Sequence, residues 1–214
     1  MKIDPAELSR GERHRQMGNI YIPRPIAFVS TVSADGVRNL APFSMSNIVA
    51  YHPAMVFFTA SRYSGRSQIG REDGSKKDTS ANVEQTGEFV LNVVTEDIAE
   101  QMNIASDVFP PEVDEFEVTG LTPVPSDIVK AFRVKESPVN MECRVVHVLP
   151  VGEPDITAEI IMGEVLRIHV RDDLWRDGTM DASAYNVIGR MGWGLYTRTH
   201  DLFTMEHPHN RTAP

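Results

Sequence analysis

The chain has 214 residues, 41% of them apolar, enough for one domain with a real core. Its formal net charge of -9 is spread without long blocks, which argues against nucleic acid or an anionic membrane surface as partner. A single cysteine, Cys143, excludes an internal disulfide framework and reads as a buried, inert thiol.

No apolar run approaches a membrane span, and the first residues carry no signal-peptide core, so a cytoplasmic protein is expected. In residues 4–18, Asp4 followed by Pro5 is a helix-start signal, and Arg10, Arg13, His14 and Arg15 make the segment basic. It reads as a surface helix or as a cap near a phosphate or a partner subunit. Residues 21–33 read as the first strand, with Ile26, Phe28 and Ser30 on one face and Ala27, Val29 and Thr31 on the other. Apolar residues on both faces point to an interior barrel strand.

Ala34-Asp35-Gly36 is a tight-turn signal, so residues 38–47 form the return arm of a hairpin. That arm carries Pro42 within a run of small, hydroxylated and amide side chains. Proline cannot donate to a ladder, so Pro42 belongs on an edge strand or at a bulge. An ordinary irregular edge strand satisfies this. So does a bulged strand whose freed backbone groups meet a flat ligand. The return runs on through residues 39–51 to a break at His52-Pro53, and residues 54–61 make a third, strongly apolar strand. Three antiparallel strands in succession predict a meander within a barrel.

Between residues 62 and 77 the character changes: Arg62, Arg66, Arg71, Lys76 and Lys77 are interleaved with Gly65, Gly70 and Gly74. This is either a surface loop or a phosphate site, because it ends at Asp78-Thr79-Ser80, a helix N-terminal signal. A strand over residues 88–94 and a helix over 96–106 follow, the helix with Ile98, Met102 and Ile104 as contacts. Residues 107–126 are rich in proline and acid, including Asp114, Glu115 and Glu117, and predict an excursion packed on the barrel or a lid.

Residues 139–149 and 156–170 predict a hairpin around 151–155. In its second strand Ile156, Ala158, Ile160, Met162, Leu166, Ile168 and Val170 are expected inward, with Glu164 on that face and His169 on the exposed one. Gly163 is a candidate bulge that would turn Glu164 outward; left inward, Glu164 needs a partner. A polar turn over 171–181 contains Asp177-Gly178. The three glycines of Gly189-Arg190-Met191-Gly192-Trp193-Gly194 imply close backbone approach but make a weak phosphate motif. His200, His207 and His209 read as a solvated tail, with metal binding by His207-Pro208-His209 as the alternative. No hydrolase elbow, Cys-x-x-Cys, His-Glu-x-x-His or strand-to-helix dinucleotide fingerprint occurs.

Several stretches, taken in order, resemble one family. Pro23-Arg24-Pro25-Ile26-Ala27-Phe28-Val29-Ser30-Thr31-Val32 and Asn39-Leu40-Ala41-Pro42-Phe43-Ser44 come first. Lys77-Asp78-Thr79 with Asn82 and Gly87-Glu88-Phe89-Val90-Leu91-Asn92 follow, then Gly163-Glu164-Val165 and Ile188-Gly189-Arg190-Met191-Gly192. Together they are similar to the flavin reductase-like family, whose members are FMN-binding split barrels and include flavoredoxin-like proteins. The resemblance spans about residues 20 to 197. It implies a mainly β fold with a few helices, a Greek-key antiparallel split β-barrel, over residues 19–198. An N-terminal helical segment (1–18) and a polar C-terminal tail (199–214) flank it.

It further implies FMN as cofactor and NADH or NADPH as electron donor. By resemblance Asn39, Leu40, Ala41, Pro42, Phe43 and Ser44 line the flavin and ribityl chain, largely through backbone. Ser61, Arg62, Lys77 and Thr79 hold the phosphate, Asp78 caps the helix or orients its neighbours, and Arg190 is a further cofactor contact. No side chain is assigned as catalytic, because the cofactor carries the chemistry. The implied activity is an NAD(P)H-dependent flavin reductase; a flavoredoxin-like electron carrier, a non-catalytic flavin-binding module and a pyridoxal-phosphate oxidase stand beside it. The implied partners are a second copy in a homodimer, to which Trp193, Tyr196 and Phe203 would contribute, and a flavin-dependent monooxygenase or electron-transfer protein. Ser46 departs from the family, where an aromatic residue is common at that place; the smaller side chain implies more space above the ring or a different dimer contact.

Overall fold

In the computed structural model the described residues are 1–62, 75–152, 155, 157–181 and 183–206. The expectations for Gly65, Arg66, Gly70, Arg71 and Gly74, for Ile156, and for His207 and His209 lie outside the described residues.

Strong apolar runs at strand spacing build one antiparallel sheet of seven strands, ordered β2-β1-β5-β8-β9-β4-β3. In chain order its strands are β1 (Ala27–Val32), β2 (Arg38–Phe43), β3 (Ser46–Tyr51), β4 (Ala54–Ser61) and β5 (Glu88–Val93), then β8 (Val139–Val151) and β9 (Ala158–Val170). Short ladders lie outside it: β6 (Pro123–Val124) with β7 (Arg133–Val134), β10 (Trp175–Arg176) with β11 (Thr179–Met180), and β12 (Ile188–Arg190) with β13 (Tyr196–Arg198). The helices are α1 (Arg10–Ile20), α2 (Asp78–Thr86), α3 (Ala99–Ile104) and α4 (Glu115–Thr119).

β1 is buried on both faces, as its composition implies. One face joins Phe28 to Leu40, Val94, Met102 and Phe116, beneath α3 and α4. The other joins Val29 to Phe43, Phe58, Phe89 and Ile161, inside the curled sheet. The sheet's two ends come together there: Phe43 of edge strand β2 meets Phe58 of β4 at 4.9 Å between ring centroids, and the Thr59 N–H donates to the Met45 carbonyl at 2.8 Å. The result is a split barrel.

The expected meander is corrected. β1–β2 and β3–β4 are hairpins, but β2 and β3 occupy opposite edges of the sheet. The stretch read as one return arm is therefore two strands, and the chain crosses the split at Ser44 and Met45. Of the two places open to Pro42 the bulge is absent, since β1 and β2 pair without a shift from Ala27↔Phe43 to Val32↔Arg38. Pro42 takes the edge position instead. The Leu40 N–H points away from β1, towards Glu115, and residue 42 has the same phase, so the missing proline N–H costs the ladder nothing.

The predicted phase of β9 is reversed. Its core-facing residues are Glu159, Ile161 and Gly163, whereas Ile160 and Met162 are half-buried and Ile168 is exposed. Gly163 sets this phase, because a Cβ there would lie 2.5 Å from the Phe89 ring. The irregularity falls across from it, in β8 between Val145 and His147. Glu164 is thus on the outer face, paired with Arg144 at 2.6 Å. His169, expected exposed, is half-buried with Nε2 2.6 Å from Glu142 Oε1. Cys143 is fully buried, and burial pushes its thiol pKa up.

At the N terminus the Asp4-Pro5 signal yields only a turn of 3-10 helix, Pro5–Glu7. α1 starts later, at a capping box in which Ser9 and Glu12 bond reciprocally. The excursion packs on the barrel as expected: α4 begins at Asp114, ends at Gly120 in the left-handed region (φ 72°) and buries Phe116.

Candidate functional site

Edge strand β2 is fastened by a buried polar network. Thr79 Oγ1 and Thr31 Oγ1 donate to Asn39 Oδ1 at 2.8 and 3.1 Å, and Asn82 Nδ2 donates to Thr31 Oγ1 at 3.0 Å. Asn39 Nδ2 in turn donates to Glu115 Oε1 at 3.0 Å, and the Leu40 N–H to Glu115 Oε2 at 3.0 Å. The side chains of Asn39 and Thr79 are therefore engaged inside the protein, where they tie β2 to α2. Leu40 and Phe43 point into the two core clusters. The strand presents its backbone, and Pro42 leaves an outward stretch without a donor.

Glu115 escaped the sequence reading, where it was one acid among several in a polar excursion. It is only 6% exposed. Burial raises its pKa to about 7, with Asp78 adding to the rise, against the lowering effect of its bonds from Leu40 and Asn39. Nothing local in the sequence separates Glu115 from Glu117; the difference is that α4 turns one inward and the other out.

The phosphate expectations converge on the N-terminal end of α2. The N-cap is Lys77 rather than Asp78, which is the first helical residue, and Lys77 supplies no side-chain cap. Thr79 is inside the first turn, whose N–H groups lack intrahelical partners. Lys77 Nζ stands 5.9 Å from the Phe43 ring centroid, and burial lowers its pKa against the opposing pull of Asp78. Ser61 ends β4 exposed. The next residue, Arg62, pairs its guanidinium with Glu159, a carboxylate 2% exposed that also accepts from Ser80 Oγ at 3.4 Å. Arg62, Glu159 and Ser80 thus join the β4–β9 ladder to α2.

Arg190 lies at the other end of the edge strand. With Ile26, Pro42, Ser44, Met102 and Tyr196 it lines a cleft of about 190 Å³. Its guanidinium stacks on Tyr196, 4.6 Å from the ring centroid. Arg24 fixes this end: it donates to the carbonyls of Gly18, Tyr21 (3.2 Å) and Met191 (3.3 Å) and reaches Ser44 Oγ at 3.5 Å. Ser46 is buried and donates to the Pro25 carbonyl at 3.2 Å. The structure therefore brings the residues from Asn39 to Ser44 together with Lys77, Asp78 and Thr79 at one end and with Arg190 at the other.

Comparison with known proteins agrees with this fold. The sequence model of the flavin reductase like domain matches residues 17–187. The uncharacterised protein BH2278 of Halalkalibacterium halodurans is 38% identical over 97% of this chain and 97% of its own length. Among solved structures, nitrilotriacetate monooxygenase component B from Bacillus cereus superposes with a TM-score of 0.89 at 31% identity, covering 96% of this chain and 98% of that one. The 2-nitrobenzoate 2-nitroreductase NbaA of Pseudomonas fluorescens shares the fold, with a TM-score of 0.86 at 23% identity, covering 100% and 99%.

Proposed function

The chain belongs to the flavin reductase like family, and from that premise we propose that it holds FMN along the β2 edge and reduces it with NADH or NADPH. The observation that carries this reading is the Thr79–Asn39 hydrogen bond of 2.8 Å. It locks an edge strand interrupted by proline to the N terminus of a nine-residue helix, so a flat backbone face runs into an anion-binding end. The residues fit such a group. Lys77 brings a positive charge beside that helix end in a chain of net charge -9, while the charge of neighbouring Arg62 is shared with Glu159.

In this reading Lys77, Arg62, Ser61 and the first-turn N–H groups of α2, including those of Asp78 and Thr79, bind the phosphate. The backbone from Asn39 to Ser44 lies along the ring and ribityl chain. Bound FMN supplies the hydride-accepting and electron-passing chemistry. The protein positions it and offers fixed dipoles and charge, which need no rearrangement during the reaction. The named function of the Bacillus cereus relative supports a role in supplying electrons to a separate monooxygenase component. None of the described helices is long and apolar enough to cross a membrane, and we place the reaction in the cytoplasm.

An anaerobic visible spectrum of the FMN-loaded protein, taken before and after NADH and then NADPH, tests the reading. Bleaching of the flavin bands within seconds is expected. Bound flavin that stays oxidised would move the assignment to an electron carrier served by a protein partner.

A further inference from the structure

The cleft beyond Ser44 has a character of its own. None of its lining residues is acidic, and among the described residues no carboxylate pairs with Arg190. The cation nearest in effect, Arg24, opposes it, and the donors of Arg24 are already turned to the carbonyls of Gly18, Tyr21 and Met191. Two arginines are thus held side by side in a strongly acidic protein, joined by backbone hydrogen bonds of 3.0 and 2.8 Å between residues 24 and 190. Arg190 is held by its stack on Tyr196, which fixes the plane of its donor fork.

The size of the cleft limits its occupant. A cavity of about 150 Å³ holds a benzene ring, so this one, at about 190 Å³, takes a single ring with a small substituent. Ile26, Pro42 and Met102 offer that ring an apolar floor, and Asn103 adds an amide to the wall.

We propose that this cleft receives a ring-sized planar reactant carrying a carboxylate, an aromatic acid whose anionic oxygens Arg190 binds. The proposal rests on the flavin reading, because Pro42 and Ser44 are shared by the cleft and the flavin edge. It removes Arg190 from the set that holds FMN.

The test titrates FMN-loaded protein with benzoate, following the flavin absorption bands, and with benzamide as its neutral counterpart. Benzoate should bind, and benzamide at least about tenfold more weakly. Arg190→Gln should weaken benzoate by about tenfold, Arg190→Lys by no more than about threefold, and neither should change FMN affinity. No binding of benzoate, equal binding of benzamide, or a loss of FMN affinity matching the loss for benzoate would overturn the proposal. The failure of the flavin reading looks different: wild-type protein would hold no FMN, and calorimetry of benzoate against the flavin-free protein would still decide the cleft.

Discussion

Glu115, Glu142 and Glu159 are all nearly buried carboxylates, yet each is stabilised differently. Glu159 meets the Arg62 guanidinium. Glu142 accepts from three consecutive backbone N–H groups, Asp127 to Val129, and from His169; burial pushes its pKa up, but these bonds outweigh burial and hold it at about 2. Its carboxylate oxygens are fully used, so the Asp127, Glu142 and His169 group is a staple for the 127–129 loop rather than a cation site. Glu115 accepts from the Leu40 N–H and the Asn39 amide NH2 and meets no cation among the described residues, and burial raises its pKa from 4.5 to about 7. A folded-state pKa above the unfolded one means that the folded protein retains a proton the unfolded chain has released. The stability this contributes is full below about pH 4.5 and is lost as pH rises to about 7. A shift of that size is worth on the order of 3 kcal/mol. Glu115→Gln should remove it, so that urea-derived stabilities of the variant at pH 5 and pH 8 differ by about 2.5 kcal/mol less than those of the wild type, most of the full shift falling between these two pH values. Parallel pH profiles for the two proteins would refute the assignment.

At the scale of elements, α2 separates two roles that its sequence runs together. Lys77-Asp78-Thr79 reads as one phosphate motif, but Lys77 stands at the helix start while the Thr79 hydroxyl is turned into the Asn39 network. Lys77→Met should weaken FMN about tenfold or more without loss of stability. Thr79→Ala should leave FMN affinity within about threefold but cost about 1–2 kcal/mol of stability, since Asn39 Oδ1 loses a buried donor. Burial already lowers the Lys77 pKa, and a bound phosphate raises it again. FMN affinity should therefore fall as pH rises through the Lys77 pKa of the free protein, and the Lys77→Met variant should lack that slope. Fluorescence titrations across pH with both variants check all of this; an unchanged affinity in Lys77→Met removes the phosphate assignment. The same elements show what one sequence discloses. The β1–β2 hairpin was legible because Asp35-Gly36 makes the turn and Pro42 admits only an irregular or edge position; Gly36 indeed has φ 87°. The crossing at Ser44 and Met45 was not, because a strand that changes sheet edges keeps the same alternation on both sides. The phase of β9 was misread because both faces are apolar, and the deciding contact is Phe89 against Gly163, a residue pair distant in sequence. Buried acids were illegible for a related reason: the partners of Glu115 lie 75 and 76 positions away.

For the whole molecule, the remaining imbalance is at the surface. Tyr21, Tyr51, Trp193 and Phe203 are between 72% and 84% exposed, and Ile20, Met45, Ile48 and Leu195 are exposed as well. Single exposed apolar side chains are ordinary, so what counts is which of these would share one interface. Several belong to segments that border the site. Met45 is at the crossing beside Ser44, and Trp193 and Leu195 occupy the turn that follows Arg190. A second copy covering these residues would also close the open side of the β2 edge and exclude water from a bound flavin. The protein should therefore run as a homodimer, with a light-scattering mass twice that of one chain at micromolar concentration. Its two tryptophans offer an independent reading, because Trp175 and Trp193 are 52% and 72% exposed in a single chain. Burial of Trp193 in the dimer should protect it from acrylamide, and Trp193→Phe should remove the protected component of the quenching curve. A monomer with both tryptophans freely quenched would leave the apolar surface to a different partner, the electron-accepting component.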